Sequence, residues 1–470
     1  MNAADDDAIA RGLAARGGVQ VVDAQAADAI IINTCVVRKK AEEKAYSFIG
    51  ALRPLAKSEP PAMPVHFNAP KLAAQACAMR MRARPLIAVV GCLIPKCGDD
   101  VRAKFGHVDL LIPTSEPVQV VDEIMRALGL DAAKVDTQDA LQDASLESAW
   151  EAVPVESSAS PLPPSCTAAA GANGLTLDTR QSGLITVQRG CSHGCSFCIV
   201  PYVRGPEVST PLDVIIAQAL YYQRHGFNEI TLLGQNVLSY GSDFGFSPNF
   251  AEMVEAVLDE TQIPWVSFLT SQPYDMSDEV ISRVIAHPRI TPLLHLPVQS
   301  GSDSVLERMR RGYTAAAYVE WAQKARAARP GLFLTTDFVC GFPGETDEDF
   351  AQTLALAERV RFNDAFMFAF SPREGTPAAK MDGQLPQKVR KERLAALIEL
   401  QRRIAHEANT SYIGQVMDAI VEENTPKRAV ARTAFNKPVA LAQCSRAPGE
   451  FTRVRITAVA VSSFKGEEAL

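Results

Sequence analysis

Residues 189–198 read Arg189-Gly190-Cys191-Ser192-His193-Gly194-Cys195-Ser196-Phe197-Cys198 and hold three cysteines in the spacing Cys-x3-Cys-x2-Cys. Three thiolates on one short loop can bind three irons of a [4Fe-4S] cluster and leave the fourth iron open to a substrate or cofactor. A structural zinc ion instead takes four N or S ligands, usually as two separated pairs, and His193 is poorly placed to be the fourth. A disulfide would leave one of the three cysteines unpaired. The spacing therefore favours an iron–sulfur site over zinc or a disulfide.

Phe197 stands one place before the third cysteine, and Cys-x3-Cys-x-aromatic-Cys resembles the signature of the radical S-adenosylmethionine (SAM) superfamily. In that superfamily the open iron chelates the amine and carboxylate of SAM, and the aromatic residue lies by the adenine. The flanking runs Cys198-Ile199-Val200-Pro201-Tyr202-Val203-Arg204-Gly205 and Glu207-Val208-Ser209 resemble the methylthiotransferases, and among them the tRNA-modifying MiaB branch. The resemblance implies a [4Fe-4S] cluster on Cys191, Cys195 and Cys198, with SAM as cofactor.

The composition is that of an ordinary globular protein of 470 residues, 47% hydrophobic and 21% charged, and the length suggests about three domains. No apolar run reaches the roughly 18 to 20 residues that span a bilayer. The N-terminus, Met1-Asn2-Ala3-Ala4-Asp5, lacks the basic start and apolar run of a secretion signal. Ten cysteines in such a chain favour a reducing, cytoplasmic compartment and no membrane partner. The net charge of −7 argues against unspecific nucleic-acid binding, although it leaves room for a local basic surface.

Residues 1–128 alternate predicted helices with short apolar strands, as in a small parallel-sheet α/β domain. Helices are predicted at 8–15 and 41–52, and buried strands at 19–22, 29–32 and 86–90. Cys35 and Cys92 directly follow two of these strands. Because functional groups in such sheets collect at the carboxyl ends of the strands, both cysteines are expected at one edge, a geometry suited to shared metal binding.

Two N-terminal segments, residues 33–44 and Gly91-Cys92, are similar to motifs of the same family. That domain of the family uses three cysteines to bind a second, auxiliary [4Fe-4S] cluster linked to sulfur insertion. The resemblance implies Cys35 and Cys92 as two of its ligands. The family's first cysteine lies in a Gly-Cys-Gln-Met-Asn segment, whereas this sequence begins Met1-Asn2. Either the first residue of this sequence lies a few residues after the true start of the protein, or the auxiliary cluster has lost a ligand.

The remaining cysteines offer two candidate substitutes, Cys77 and Cys97. A lone buried cysteine is usually a small hydrophobe, and this is our interpretation of Cys77, Cys166, Cys340 and Cys444. Residues 57–84 carry several prolines and a basic Met-rich piece, which indicates a surface insertion. Residues 129–182 are rich in Ala, Asp, Ser and Pro and are predicted to be a flexible interdomain linker.

Residues 183–410 repeat strand–helix units. Strands are predicted at 183–188, 229–233, 266–269, 293–296, 333–339 and 365–370, and helices at 212–225, 250–259, 277–286, 303–309, 315–328, 348–360 and 387–406. Such units favour a parallel barrel or partial barrel whose chemistry lies at the carboxyl ends of the strands. The radical SAM resemblance implies a partial (β/α)6 barrel, open on one side for a large substrate.

Polar residues follow each predicted strand, and in the family such strand ends supply the contacts to SAM. The residues assigned to SAM by this resemblance are Phe197, Gln235, Ser271, Gln299, Asp337 and Arg373. Gly341 and Gly344 are predicted to allow close approach of the cofactor, with simple turns as the alternative. His295, taken alone, is more often a core histidine than a catalytic base.

Residues 411–470 switch to alternating strands at 415–421, 429–433 and 451–457, which predicts a small antiparallel barrel. Eight Lys and Arg against six Asp and Glu give this segment a bias toward phosphate contact. Its position and pattern resemble the TRAM domain, an RNA-binding barrel that ends methylthiotransferases. The basic residues assigned to RNA are Lys427, Arg428, Arg432, Arg453 and Arg455.

The resemblance as a whole implies conversion of N6-isopentenyladenosine at position 37 of tRNA to its 2-methylthio derivative, with sulfur from the auxiliary cluster. The expected partners are a tRNA anticodon stem-loop and an electron donor such as flavodoxin or ferredoxin, and the expected state is a monomer. A radical is required because the C2–H bond of the base has no acid–base route near neutral pH, and unpaired loop bases are the usual targets of RNA readers. Two alternatives are a ribosomal-protein aspartate methylthiotransferase and an RNA-binding radical SAM protein without a complete auxiliary cluster.

Overall fold

The computed structural model describes residues 2–14, 16, 18, 24, 27–34, 39–55, 84–113, 116–130 and 182–469. The predicted strand at 19–22, Cys35, Cys77, Cys166, the predicted insertion apart from Arg84, and residues 131–181 of the predicted linker lie outside these ranges. Contacts divide the chain into two compact units. The first is Met1–Leu175 with Tyr202–Arg204, and the second is Thr176–Pro201 with Gly205–Leu470.

The first unit contains a parallel sheet in the order β1-β2-β3. Its strands are β1 (Ala29–Thr34), β2 (Leu86–Gly91) and β3 (Leu110–Ile112), and its helices are Asn2–Ala14, Lys39–Ala51, Leu93–Lys104 and Pro117–Ala127. The central strand β2 is buried along its whole length, as its unbroken apolar run predicts. Thr34 pairs with Gly91, so β1 and β2 end at the same edge. The predicted parallel sheet is confirmed for the strands that the structure describes.

The second unit begins with a partial barrel of six parallel strands. The six strands are β4 (Ser182–Thr186), β7 (Glu229–Leu233), β8 (Trp265–Phe268), β9 (Leu293–His295), β10 (Phe333–Cys340) and β11 (Asp364–Ala369). Between β4 and β7, the short strands β5 (Gln188–Arg189) and β6 (Val208–Ser209) form a separate antiparallel pair. The sheets β4-β7-β8 and β9-β10-β11 meet through a parallel bridge from Val266 to Ile290. Within the described residues β4 and β11 pair with no further strand, so the barrel is open between them.

Helices cover one side of this sheet and supply one continuous hydrophobic core. They are Leu212–Arg224, Phe250–Glu260, Ala315–Ala328, Asp347–Val360 and Gln387–Thr410. Two shorter helices, Val200–Arg204 and Asp303–Arg308, contribute no residue to this core. Capping boxes start two of the longer helices, Asn249 with Glu252 and Thr346 with Asp349, because each side chain accepts a backbone N–H that the helix leaves unpaired. The predicted six-unit partial barrel is confirmed.

Two elements differ from the sequence-based expectation. The predicted strand 183–188 stops at Thr186, and Gln188–Arg189 turns away to form an antiparallel pair with β6. The predicted α-helix at 277–286 contains a π-helical turn at Val280–Ile285. Its buried residues are Val280, Ile281, Val284 and Ile285. This spacing of apolar residues does not distinguish an α-helix from a π-helix, so the sequence did not reveal the π-helical turn.

The C-terminal segment forms a closed five-stranded barrel in the order β12-β13-β14-β16-β15. The strands are β12 (Val416–Thr425), β13 (Arg428–Thr433), β14 (Pro438–Leu441), β15 (Phe451–Val459) and β16 (Phe464–Glu468). Four of the five pairings are antiparallel, and β14 pairs with β16 in parallel. The predicted small barrel is confirmed, and β14 and β16 are the two strands that sequence reasoning missed.

Candidate active site

The cysteine loop leaves β5 through a glycine that no other residue could replace without moving the backbone. Gly190 has φ +75°, and a Cβ there would lie 1.8 Å from the Pro206 carbonyl oxygen. The Gly190 N–H donates to Gln235 Oε1 at 2.5 Å, and the Gly190 carbonyl accepts from Gln188 Nε2 at 2.9 Å. The start of the loop is therefore fixed by side chains that follow β4 and β7.

The far end of the loop is fixed through Ser196, which is fully buried. Its hydroxyl donates to the Arg308 carbonyl at 2.7 Å, and its backbone N–H donates to the Met309 carbonyl at 3.1 Å. Its own carbonyl accepts from Ala378 N at 2.8 Å. Phe197 packs beside this anchor, against a cluster that includes Val305, Met309, Phe342 and Phe370. The three cysteines thus sit on a loop held at both ends by the rest of the barrel.

His193 lies between two of the cysteines but points into a polar network at the ends of β7 and β8. Its Nε2 is 2.8 Å from Asp275 Oδ2 and 3.2 Å from Asn236 Nδ2. Asn236 Nδ2 also donates to Asp275 Oδ2 at 2.6 Å. The hydrogen bond to Asp275 raises the pKa of His193. Sequence reasoning set His193 aside as a fourth ligand, and here its ring serves to tether the loop.

The thiols meet the chemical requirement of iron ligands. Burial raises the pKa of Cys191 to about 12 and that of Cys198 to about 11, so both are neutral thiols in the protein alone. Metal coordination deprotonates a thiol outright and removes the cost of an isolated buried thiolate. Cys195 accepts a hydrogen bond from Arg311 Nη1 at 3.3 Å, which places a permanent positive charge beside it. The three cysteines are therefore suited to a cofactor whose metal ions bind thiolates.

A single metal ion is a poorer fit to the same loop. Within the parts of the chain that the structure describes, no three His, Cys, Asp or Glu side chains converge closely enough to share one ion. Each thiolate of a [4Fe-4S] cluster binds a different iron, so its ligands need not converge on one point. The donor set suits a cluster better than the tetrahedral zinc considered from the sequence.

Two strand ends beside the loop carry strained backbone. Thr270, after β8, has φ +71°, and Gln299, after β9, has φ +74°. Non-glycine residues in the left-handed region cost free energy and cluster at ligand sites. Ser271 is 3% exposed, and its hydroxyl has no hydrogen-bond partner among the described residues. The unpartnered buried hydroxyl of Ser271 directly follows the strained Thr270, and both features suit a ligand site at this end of the barrel.

The other residues assigned to SAM lie on a barrel strand or in the segment that follows one. Asp337, on β10, has Oδ1 3.6 Å from His295 Nε2, and His295 Nδ1 is 2.9 Å from Thr335 Oγ1. Burial lowers the pKa of His295, so its ring is neutral. Arg373 lies in the segment that follows β11, and Gln235 is engaged with the cysteine loop through Gly190.

The glycines after β10 pack against neighbouring segments of the chain. Gly341 has φ +74°, and a Cβ there would lie 2.3 Å from Cγ of Arg390 on the helix Gln387–Thr410. Gly344 faces the Arg308 side chain and donates its N–H to Gly383 O. The space that a Cβ at Gly341 would need is taken by the long helix, so helix packing accounts for this glycine, and close approach of a cofactor to either glycine stays a prediction.

The segment after β9 is held from behind by Asp349. Its carboxylate accepts hydrogen bonds from Ser302 and Ser304, from Thr346 N at 3.0 Å, and from Arg308 Nη2 at 3.4 Å. Burial opposes ionisation of Asp349, but the hydrogen bond from Ser302 and its companions outweigh it and lower the pKa. The same helix touches Gly301, where a Cβ would lie 2.5 Å from the Gln352 carbonyl oxygen. The position of Gln299 therefore depends on the start of the helix Asp347–Val360.

Replacing Asp349 with asparagine is expected to lower the free energy of unfolding at pH 7 by roughly 1.5–3 kcal/mol, since hydrogen bonds to a charged group are lost. A carboxylate whose folded pKa is depressed contributes its stability above the unfolded pKa of about 3.9 and loses it as the pH falls below that value. The gap between wild type and Asp349→Asn should therefore be constant from pH 7 to pH 5 and shrink toward pH 3. Urea unfolding at these pH values measures it, and a gap that stays constant down to pH 3 contradicts the assignment.

The basic residues assigned to RNA fall into two groups. Lys427, Arg428, Arg453 and Arg455 are exposed on the C-terminal barrel. Arg432 is buried, with its guanidinium against Glu229 Oε2 at 2.5 Å and Glu422 Oε1 at 2.7 Å. Two carboxylates already neutralise this cation and cover it from solvent. Arg432 is therefore not available to contact RNA.

Of the two cysteines predicted to bind the auxiliary cluster, the structure describes only Cys92. Cys92 is 3% exposed and stands between β2 and the helix Leu93–Lys104, while Cys35 lies outside the described residues. Gly91, with φ +95°, turns the chain at the edge where Thr34 also ends. Cys97 Sγ is 3.9 Å from Glu42 Oε1, and burial raises its pKa.

Sequence reasoning missed three features of this site. Arg311 reaches Cys195 and the Pro297 carbonyl from a loop after the helix Asp303–Arg308, and the only signal was an unusual Arg310-Arg311-Gly312 run. The partners of His193 come from two separate strand ends, which no local pattern reveals. Phe366, on β11, is 55% exposed in the middle of a strand, although its neighbour Ala365 is buried.

Comparisons with known proteins agree with this architecture. The profile of the radical SAM superfamily matches residues 185–357, and the profile described as uncharacterized protein family UPF0004 matches residues 1–113. Two relatives are each called tRNA-2-methylthio-N(6)-dimethylallyladenosine synthase. The one from Acetivibrio thermocellus is 35% identical over 99% of this chain and 88% of its own. The one from Anaeromyxobacter dehalogenans is 36% identical over 99% of this chain and 91% of its own.

Among solved structures, the radical S-adenosylmethionine methyltransferase TsrM from Kitasatospora setae matches with a TM-score of 0.45. The two chains are 14% identical, and the match covers 65% of this chain and 61% of the other. Among the described residues, no helix is both long enough and apolar enough to cross a membrane.

Proposed function

Because this chain belongs to the tRNA-2-methylthio-N(6)-dimethylallyladenosine synthase family of radical SAM proteins, we propose that it is a tRNA methylthiotransferase. Its reaction converts N6-isopentenyladenosine at position 37 of tRNA to the 2-methylthio derivative. One observation carries the proposal: three thiols on a loop clamped at the carboxyl end of the barrel, in a chain that matches these relatives over 99% of its length.

We assign Cys191, Cys195 and Cys198 as the ligands of the radical SAM [4Fe-4S] cluster. When bound, the cluster and SAM supply a 5′-deoxyadenosyl radical, a species able to remove hydrogen from an aromatic C–H bond. The chain's own residues position the thiols. Gln235 and Ser196 hold the two ends of the loop, and Arg311 places a positive charge beside Cys195 that favours its thiolate.

For SAM itself we propose contacts from the strand ends around the loop. The unpartnered hydroxyl of Ser271 and the strained backbone of Gln299 support a ligand at this end of the barrel. Phe197, on the loop that carries the thiols, packs against the cluster that includes Met309 and Phe370. Asp337 and Arg373 complete the proposed set, and Gln235 contributes through the loop it holds.

For RNA we propose the exposed cations of the C-terminal barrel, Lys427, Arg428, Arg453 and Arg455. Arg453 and Arg455 alternate on β15 with the buried residues Thr452 and Val454, so both side chains face solvent on the same side of the barrel. Arg428 and Arg455 have acidic neighbours at 3.5 and 3.9 Å, Glu423 and Glu467, and such exposed pairs are weak enough to exchange for phosphate.

We further propose an auxiliary [4Fe-4S] cluster with Cys35 and Cys92 among its ligands, at the edge where β1 and β2 end together. A small electron-transfer protein such as flavodoxin or ferredoxin would reduce the radical SAM cluster. We place the enzyme in the cytoplasm, where its tRNA substrate is found, and expect it to act as a monomer.

The proposal is tested with the full chain, reconstituted anaerobically with iron and sulfide and supplied with SAM, a chemical reductant and tRNA that carries N6-isopentenyladenosine. Nucleoside mass spectrometry should detect the 2-methylthio derivative at position 37. Unchanged tRNA in the presence of SAM cleavage would exclude this function. Methylthiolation of a ribosomal protein in a parallel incubation would favour the alternative substrate class.

A further inference from the structure

The lower end of the barrel lumen is closed by the C-terminal barrel. The first residues of β7, β8, β9, β10 and β11 all contact it. Glu229 pairs with Arg432, Asp364 pairs with Lys437 at 2.7 Å, and the ring of Phe333 stacks on Phe435 with centroids 4.9 Å apart. The two remaining contacts are Trp265 with Phe451, and Leu293 with the same hydrophobic cluster. The C-terminal barrel therefore closes one end of the lumen, here called its floor, and the cysteine loop lies at the other end, here called its rim.

Alternation along the strands decides which side chains face the lumen. Leu334 and Phe338 on β10, and Ala365 on β11, are buried in the core formed with the helices. Successive side chains of a strand point to opposite faces, so Asp337 and Phe366 face the lumen. These two residues are paired in register across β10 and β11, and the ring of His295 meets that of Phe366 edge-on at 5.9 Å.

Phe366 is 55% exposed although it lies in the middle of a barrel strand. Single apolar residues on an outer surface are ordinary, but this ring faces the lumen of the barrel and has polar neighbours on one side. It stands two residues above Asp364, which touches the floor, and three below Ala369 at the strand's end. At roughly 3.3 Å per residue, the ring lies about 7 Å above the floor and about 10 Å below the rim.

We propose that Phe366 is the stacking platform for the RNA base that the enzyme modifies. This inference rests on the proposed function and names the contact that receives its substrate. An aromatic face suits a planar base of any sequence context, and RNA-binding proteins capture unpaired bases in this way. SAM also contains an adenine, but of the residues proposed for SAM only Asp337 lies at the level of Phe366, and Gln235, Ser271, Gln299 and Arg373 all follow the ends of their strands. His295, whose ring meets that of Phe366 edge-on, stands where the edge of a stacked base would meet a polar group.

The test compares Phe366→Ala, Phe366→Leu and Phe366→Tyr in the reconstituted full chain, with an anticodon stem-loop that carries N6-isopentenyladenosine. Loss of a base-stacking ring is expected to lower kcat/KM about 5- to 100-fold for the alanine variant. Leucine keeps the bulk without the ring and should behave like alanine, whereas tyrosine should stay close to wild type. The affinity for SAM and the rate of 5′-deoxyadenosine formation without RNA should remain unchanged.

The matched control is Ile413→Ala, which removes an apolar side chain of similar exposure just before the C-terminal barrel and should leave every readout unchanged. Equal activity of the leucine variant and wild type would overturn the proposal. A matching loss of SAM affinity in Phe366→Ala would assign the ring to the cofactor's adenine instead. Direct binding of the stem-loop, followed by fluorescence anisotropy, tests the contact without catalysis, so a wild type that binds but forms no product would count against the proposed function alone.

Discussion

Replacement of Cys191 by alanine is expected to abolish formation of 5′-deoxyadenosine from SAM. A cluster bound by three thiolates of one loop loses a ligand, and Cys195 and Cys198 cannot supply a third sulfur from the same segment. The folded barrel should survive, because the loop is anchored through Gly190 and Ser196 rather than through the Cys191 thiol. Anaerobically reconstituted protein, incubated with SAM and a strong reductant and analysed by chromatography, measures the yield.

Cys444→Ala is the control for this experiment. Its thiol is partly buried on the C-terminal barrel, near Arg446 O and Glu468, and it belongs to no proposed metal site. The variant should bind iron and cleave SAM like wild type. Continued production of 5′-deoxyadenosine by Cys191→Ala would contradict the assignment of the cluster to this loop.

Iron analysis of the same family of variants separates the two proposed clusters. Wild type with two [4Fe-4S] clusters should hold about eight irons, and the triple variant of Cys191, Cys195 and Cys198 about four. Adding Cys92→Ala to the triple variant should remove most of the remainder. A triple variant that holds no iron would leave the N-terminal domain without a cluster, and the sulfur source would have to be sought elsewhere.

Much of the barrel could be predicted because each of its strands and helices has a recognisable pattern of apolar residues within its own segment. The apolar run Glu229–Leu233 was predicted with the bounds that the structure has, and the helix Ala315–Ala328 likewise. The cysteine loop could be identified because its ligands lie within eight positions of one another. The pattern of apolar residues and the spacing of the cysteines both involve residues that are close together in sequence, and such local patterns are what a single sequence reveals.

The features that escaped prediction depend on contacts between distant parts of the chain. Arg432 lies on a strand that reads as basic and alternating, yet all of Ala429–Thr433 is buried because the C-terminal barrel docks on the partial barrel. The sequence around Phe366 resembles that of a core aromatic in an apolar strand, and its exposure follows from its place on the lumen side of a barrel that is open beside β11. Arg311 meets Cys195 across 116 positions of sequence.

The docked C-terminal barrel leads to the second large effect, on stability. Replacing Arg432 with methionine is expected to lower the free energy of unfolding by roughly 3–5 kcal/mol, because it leaves Glu229 buried without its counter-ion. Glu229 is 5% exposed and Arg432 8% exposed at their side chains, so water cannot take over the lost contact. Urea unfolding followed by tryptophan fluorescence measures the loss, since Trp265 lies at the same interface against Phe451.

Two further variants show whether the effect comes from a buried unpaired charge. Arg455→Met removes a cation that is 49% exposed and 3.9 Å from Glu467, so it should cost at most about 1 kcal/mol. Adding Glu229→Gln to Arg432→Met removes the stranded charge and should restore part of the stability. If Arg432→Met costs no more than Arg455→Met, the ion pair does not hold the C-terminal barrel to the partial barrel. The closed floor of the lumen would then have to rest on the other contacts, which are the aromatic pairs of Trp265 and Phe333, the packing of Leu293 and the Asp364–Lys437 ion pair.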